Sequence, residues 1–356
     1  MLLKPLEDIE KTGRTPHKPI IAITIGDVAG IGPEIVCKAL LDRRIYAICR
    51  PVVIGDRRVI EREIVRNELN LSIESVSSPE EARFKPGTMA LIDLANAEGH
   101  DLEMGKVSSL CGRAAYEYIA KSVELALSSK VSAVATAPIN KLSLKAADIS
   151  YTGHTEIFAA LTRTDDPITM FEIPGEMRVF FLSRHVSLLK ACELIKKKRV
   201  FEYIRKCSRL LKAIGCQESG PLGVAALNPH CGEGGLFGTE ELDEIIPAIE
   251  EAKKLGIAVE GPIGADSIFA LARKGVFSAV LSMYHDQGHI ATKTLSFEGT
   301  VSVTLGMPFL RTSVDHGTAF DIAGTGTASP VSMVEAIKLA ALYSRDIHPT
   351  NPNYIY

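Results

Sequence analysis

The chain has 356 residues, 46% hydrophobic and 23% charged, with a formal net charge of −3. That length exceeds one simple core, and the balance is that of a globular protein, neither disordered nor fibrous. Its cations are scattered and no apolar run approaches the ~20 residues of a membrane span, which argues against nucleic-acid and membrane partners.

Residues 1–19 are polar, carry acids, and read as a short extension, neither a signal nor a transit peptide. Ile20–Ile25 is the first strand. The glycine-rich turn Gly26–Gly32 follows, with a helix opening at Pro33-Glu34, where proline and an early acid suit a helix start. Pro51–Ile54 and Thr88–Ile92 are further strands, and Val107–Ser129 is a long helix. The strand Ala133–Thr136 ends in the polar loop from Ala137 to Lys141. A second block begins near Ile168: the strand Arg178–Leu182, a helical stretch Leu188–Gly215 that breaks once, and the strand Leu222–Leu227. Next come a helix over Gly238–Leu255, the strand Ala279–Met283, the strand Val301–Leu305 and a helix Val331–Leu342. Strands alternating with helices imply α/β domains with parallel sheet. We place one domain at 20–150 plus 300–356 and the other at 151–299.

The seven cysteines form no CxxC pair and sit mainly in apolar or helical segments. A reduced, cytoplasmic chain that uses cysteine as a small hydrophobe accounts for this most simply.

Three of the nine histidines follow strands in short polar contexts: Ser183-Arg184-His185, Asn228-Pro229-His230 and Tyr284-His285-Asp286. In open α/β sheets ligands bind beyond the carboxyl ends of strands. Three imidazoles delivered there by separate strands could share one cation, and three protein ligands with one open position is a catalytic pattern. The cation would act as a Lewis acid on a substrate hydroxyl. Imidazole suits Zn, Fe, Ni and Cu alike, so the pattern does not name the metal. His17, His100 and His348 lie in terminal or loop contexts and read as surface residues.

Four further features carry candidate chemistry. His154 and Thr155 open a helix whose N-terminus could face an anionic group, or Thr152 or Thr155 could simply cap it. Gly26–Gly32 lies where a dinucleotide fingerprint would, but it is not GxGxxG and reads as a tight turn with close helix approach. Lys293 and Arg311 are cations in apolar surroundings that require a partner, either an internal carboxylate or a ligand anion. The stretch Asp315–Gly326 is dense in small and polar residues and long enough to be a ligand loop, where an acid could take the ribose hydroxyls of NAD.

The motifs ITIGDVAGIGPE, ATAPINK, YTGHTE, LNPHCGEGGLFGTEE, GPIGAD, MYHDQGH and TLGMPFLRTSVDHGTAFDIAGTG resemble the 4-hydroxythreonine-4-phosphate dehydrogenase family of vitamin B6 biosynthesis, from Ile20 to about Leu342. That resemblance implies two α/β/α domains around a cleft, as in isocitrate and isopropylmalate dehydrogenases. It implies NAD-dependent oxidation of a 4-phosphorylated 3-hydroxy acid, with decarboxylation. One divalent ion (Zn, Mg, Co or Mn) per subunit would be held by His185, His230 and His285, the last supplied by the other subunit of a homodimer. His154, Thr155, Asp266, Asp286, Lys293 and Arg311 fall on substrate contacts, with Asp286 or Lys293 as general base. His316, Gly317, Asp321 and Gly324 fall on the adenosine-binding loop. Ser302 stands where the family carries a substrate-contacting Asn. MYHDQGHI and DHGTAFDIAGTG look closer to a branch that oxidises 4-phospho-D-threonate or 4-phospho-D-erythronate. A metal-dependent phospho-sugar hydrolase or aldolase would use the three histidines without NAD, and a silent metabolite sensor would need no activated hydroxyl.

Overall fold

Runs of Ile, Val, Leu and Ala that are buried on both faces form most strands of a mixed sheet. In the computed structural model, which describes residues 18–97, 102–345 and 347, there are twelve of them. In chain order they are β1 (Ile20–Thr24), β2 (Arg50–Gly55), β3 (Ser72–Ser75), β4 (Thr88–Asp93), β5 (Ala133–Thr136), β6 (Ile168–Ile173), β7 (Met177–Phe181), β8 (Leu222–Ala225), β9 (Val259–Ile263), β10 (Ala279–Ser282), β11 (Val301–Leu305) and β12 (Leu310–Val314). His17, His100, His348 and most of the expected extension lie outside the described residues.

The spatial order is β3-β4-β2-β1-β5-β12-β11-β6-β7-β10-β8-β9. From β3 to β12 every pairing is parallel, and from β7 to β9 parallel again. Between these runs, β12–β11, β11–β6 and β6–β7 are antiparallel. Three successive reversals leave the two parallel runs pointing in opposite directions.

Helices flank the sheet: α1 (Gly32–Ala39), α2 (Ser109–Leu127), α3 (His154–Thr162), α4 (Lys197–Ala213), α5 (His285–Leu295) and α6 (Val331–Tyr343). The expected break in Leu188–Gly215 falls between the helix Leu188–Glu193 and α4. The helix expected from Gly238 begins instead with a π-type turn over Glu241–Ile245 before Ile246–Lys254. The reading missed four strands: β3, which is short and has no buried residue, β6, where it marked only the start of a second block, β9, whose Gly261 and Pro262 argue locally against a strand, and β12, masked by the loop-like GMP before it.

At Gly26 φ is +73°, and a Cβ there would run into the Pro138 carbonyl; at Gly32 it would run into that of Ile25. The turn is thus a tight turn with close helix approach, as expected. All seven cysteines are free, and five of them are buried. No helix among the described residues is long and apolar enough to cross a membrane. Deep in the sheet, Tyr343 of α6 donates to Glu172 of β6 at 2.6 Å, and Arg178 of β7 pairs with the same carboxylate at 3.3 Å. The C-terminal helix is therefore tied to strands of the second block.

Candidate active site

β7, β10 and β8 are consecutive parallel neighbours, so the segments leading to His185, His285 and His230 leave the same edge side by side. Ser183 donates to the Met283 carbonyl at 3.0 Å and locks the first two segments together. His185 and His285 then lie with ring centroids 6.0 Å apart. Burial, and next the charges of Arg184 and Lys141, push the His185 pKa down, which keeps the ring a neutral donor of the kind a cation takes. His285 begins α5, and its Nδ1 lies 2.6 Å from Asp286 Oδ1. A carboxylate on one ring nitrogen orients the other toward a ligand.

His230 stands apart. Glu241, fully buried, anchors its loop by accepting from the Leu227 and Asn228 amides at 2.8 and 2.7 Å. Beyond that anchor His230, Cys231 and Glu233 have φ of 52°, 57° and 45°, left-handed conformations that cost non-glycine residues roughly 1–2 kcal/mol each. The His230 side chain is 73% exposed. Among the described residues of one chain, no three His, Cys, Asp or Glu side chains are grouped to hold a metal ion. The donor chemistry of His185 and His285 fits a cation.

Sequence reading did not single out His289, one helical turn after His285. Its ring lies 4.2 Å from that of His285 and 4.4 and 4.7 Å from Phe171 and Phe181. The i,i+4 spacing of two histidines was the available signal. Burial, then the nearby His285 charge, lowers its pKa to about 4. Since the folded value lies below the unfolded 6.5, the unfolded state takes the proton first, and stability present above pH 6.5 is lost as pH falls toward 4. His289→Leu should therefore lose less stability than the wild type between pH 7 and 4.5, measured by urea unfolding at both.

A second cluster occupies one face of the central strands. Thr304 of β11 is registered against Arg311 of β12 and Thr169 of β6, and Ser302 against Ser313 and Phe171, so these six share a face. Arg311 is 3% exposed. Its Nε and Nη2 donate to Thr136 Oγ1 at 3.1 and 2.9 Å, and its Nη1 donates to Thr304 Oγ1 at 3.2 Å. Among the described residues no carboxylate pairs with it. Burial, then the charge of Arg184, pulls its pKa down to about 9. His154 at the start of α3 is held neutral by burial and by Arg311, and its Nε2 is buried without a hydrogen-bond partner. Thr169 Oγ1 nearby is likewise unpartnered. Neither Thr152 nor Thr155 caps α3; the Glu156 carboxylate instead takes the Thr152 amide at 2.7 Å. A buried guanidinium, an unsatisfied imidazole nitrogen and a helix N-terminus form a place for an anion.

Lys293 on α5 has an internal partner, its amine lying 2.6 Å from Asp315 Oδ2. Of the two cations the sequence singled out, one is paired with a carboxylate and the other bonds only threonine hydroxyls. Asp286 is exposed, as is Asp266 at the start of its helix, where Ser267 donates to it at 3.2 Å. The loop after Asp315 lies on the glycine turn: the Ile31 amide donates to the Thr318 carbonyl at 3.0 Å, and a Cβ on Gly30 would sit 2.8 Å from that of Thr318. His316 is held between the Gly317 carbonyl and Ser332 Oγ, each at 2.9 Å. Gly324, at φ +79°, approaches Arg66 and Met104. Asp321 is exposed.

Residues 47–340 match the family model described as pyridoxal phosphate biosynthetic protein PdxA. A Clostridium botulinum protein provisionally named D-threonate 4-phosphate dehydrogenase is 59% identical over 328 residues, covering 92% of this chain and 98% of that one. One of the same provisional name from Fusobacterium nucleatum is 56% identical over 91% of this chain and 97% of that one. Among solved structures, a 4-hydroxythreonine-4-phosphate dehydrogenase from Klebsiella pneumoniae superposes with a TM-score of 0.84 at 37% identity, covering 93% of this chain and 99% of that one. One from Burkholderia phymatum does so at 0.80 and 43% identity, covering 91% and 98%.

Proposed function

The chain belongs to the PdxA family of pyridoxal phosphate biosynthetic proteins, dehydrogenases that oxidise a phosphorylated hydroxy acid, and on that premise we propose that it takes NAD, a divalent metal and 4-phospho-D-threonate or a near analogue. The observation that carries the substrate reading is Arg311: a buried guanidinium without a carboxylate, beside the unpartnered His154 Nε2, requires an anion of the size and charge of a phosphate or carboxylate. The relatives named for D-threonate 4-phosphate favour the hydroxy acid over the amino acid. So does Ser302, on the face of Arg311 where the family carries Asn.

Arg311, His154 and Thr155 would bind the anionic end of the substrate, and Ser302 would contact its polar middle. His185 and His230, with His285 of the partner subunit, would hold the metal. Its divalent charge, when bound, lowers a coordinated hydroxyl's pKa and withdraws charge from a neighbouring carbonyl. Asp286 would keep a proton on His285 Nδ1, 2.6 Å away, and Asp266 and Asp286 would extend the polar rim. Asp286 or Lys293, the latter only in its neutral form, would take the hydroxyl proton. The Asp315–Gly326 loop, with His316, Gly317, Asp321 and Gly324, would receive NAD, which supplies the hydride acceptor. The oxidised product is a β-keto acid, which loses CO2 readily.

A homodimer is supported by exposed apolar side chains beside each histidine: Leu188 and Leu189 after His185, Leu236 and Phe237 after His230, and Ile290 after His285. Exposed apolar side chains on all three segments would suit a surface that a second copy covers. The reading is tested by following NADH absorbance with 4-phospho-D-threonate, 4-phospho-D-erythronate and 4-hydroxythreonine phosphate, with and without chelator. Turnover should be fastest with one of the first two and should vanish on chelation. NADH formation unaffected by the chelator would overturn the metal assignment, and no turnover of any of the three would overturn the substrate class.

A further inference from the structure

Lys38 lies on α1, outside every group assigned above, and its amine is committed to the backbone of a distant loop. Its Nζ donates to the Gly326 carbonyl at 2.8 Å and to the Ala328 carbonyl at 3.0 Å, and it pairs with Glu34 Oε1 at 2.7 Å. Three acceptors use all three protons of an ammonium. Glu34 is 1% exposed, and the same oxygen accepts the Ala328 amide at 2.9 Å. Spacing of i,i+4 sets the two side chains together on one helix face.

The segment they hold is the far end of the Asp315–Gly326 loop. The near end is fixed as well: Asp315 by Lys293, His316 by Ser332, and the Thr318 carbonyl by the Ile31 amide. Between these anchors, among the described residues, the hydrogen bonds of 319–325 stay within the loop. The Ile322 amide donates to the Ala319 carbonyl at 3.1 Å, and the Thr325 amide donates to that of Ile322 at 3.2 Å. Asp321 is exposed and pairs with no cation among the described residues. A segment without hydrogen bonds outside itself takes its position from its two ends, and a charge-assisted anchor is about twice as strong as a neutral one.

We propose that Lys38 is a positioning residue for the cofactor: by clamping Gly326 and Ala328 it pre-forms the loop that presents Asp321 to the ribose hydroxyls of NAD, without touching NAD itself. The inference rests on the NAD reading above and adds the residue outside the loop that sets its affinity. A loop held in its binding form a tenth of the time binds roughly 10-fold more weakly. The phosphorylated acid meets other elements, those around Arg311, so its binding is left as it was.

The test compares the wild type with Lys38→Met and with the double variant Glu34→Gln/Lys38→Met, which folds without a lone buried carboxylate should the single one fail. KM for NAD should rise roughly 10-fold. The kcat at saturating NAD and KM for 4-phospho-D-threonate should stay within about 2-fold. In the free protein, the bonded amides of the segment 319–328, those of Ile322, Thr325 and Ala328, should exchange with deuterium roughly 10-fold faster than in the wild type. An unchanged KM for NAD, an equal rise in both KM values, or unchanged exchange in the segment overturns the role of Lys38. A wild type that neither reduces NAD nor binds NADH by calorimetry overturns the NAD reading, and the inference with it.

Discussion

Arg311→Met is expected to raise KM for the phosphorylated substrate by about 10² to 10³ while leaving the ligand-free protein as stable as the wild type or more so. The two readouts move in opposite directions for one reason. A guanidinium at 3% exposure with only threonine hydroxyls as acceptors has lost its hydration without gaining a counter-ion. Replacing such a charge by an apolar side chain of similar volume is neutral or stabilising by about 1–4 kcal/mol. Removing one member of a buried charged contact from a complex costs about 2–5 kcal/mol. Thermal unfolding of the free protein checks the first statement, and initial-rate kinetics check the second. A variant that is both less stable and unimpaired in KM would show Arg311 to be a structural cation.

His185→Ala and His285→Ala should each abolish NAD reduction with the fold intact, and mixing the two inactive proteins should restore activity. If each site takes His185 and His230 from one subunit and His285 from the other, a mixed dimer carries one wholly defective site and one complete one. With half the dimers mixed, about a quarter of the wild-type activity returns. A site built within one chain regains nothing, because every chain in the mixture lacks a ligand. Within one chain His185 and His285 already lie 6.0 Å apart and His230 is exposed on a left-handed loop, so a site that takes His185 and His285 from one chain is the alternative that this mixing tests. Subunit exchange under mild denaturant, followed by NADH absorbance, measures the outcome, and circular dichroism confirms the fold of each variant.

Most of the strands and all three histidine-bearing ends were legible, because aliphatic runs bounded by polar turns carry their own signal. His185, His230 and His285 could be placed at neighbouring strand ends from local pattern alone. The chemistry around Arg311 could not be read in this way. Thr136, Thr169 and Thr304 come from three strands far apart in sequence, and only the register of antiparallel pairs reveals that Thr169, Thr304 and Arg311 share a face. Local pattern likewise left open whether Lys293 and Arg311 were paired, since the Asp315 that claims Lys293 is 22 residues away. The helix α5 was hidden for a different reason. Its first turns, His-Asp-Gln-Gly-His, are built of residues that favour ligands and turns more than helices, so the segment reads as a functional loop although it folds as a rigid rod.

The reversal of strand direction between β12 and β7 has a mechanical consequence. β11 is bonded to β12 over residues 301–304 on one side and to β6 over 301–305 on the other, and Tyr343 fastens the C-terminal helix to β6 across that seam. Enzymes that close by a hinge keep few backbone bonds between the moving bodies. Here separating the two parallel runs would mean unzipping a ladder, so a motion that kept these bonds would have to twist the sheet or move its loops. Amides of β11 and β6 should then be among the last to exchange with deuterium, and those of residues 228–238 among the first.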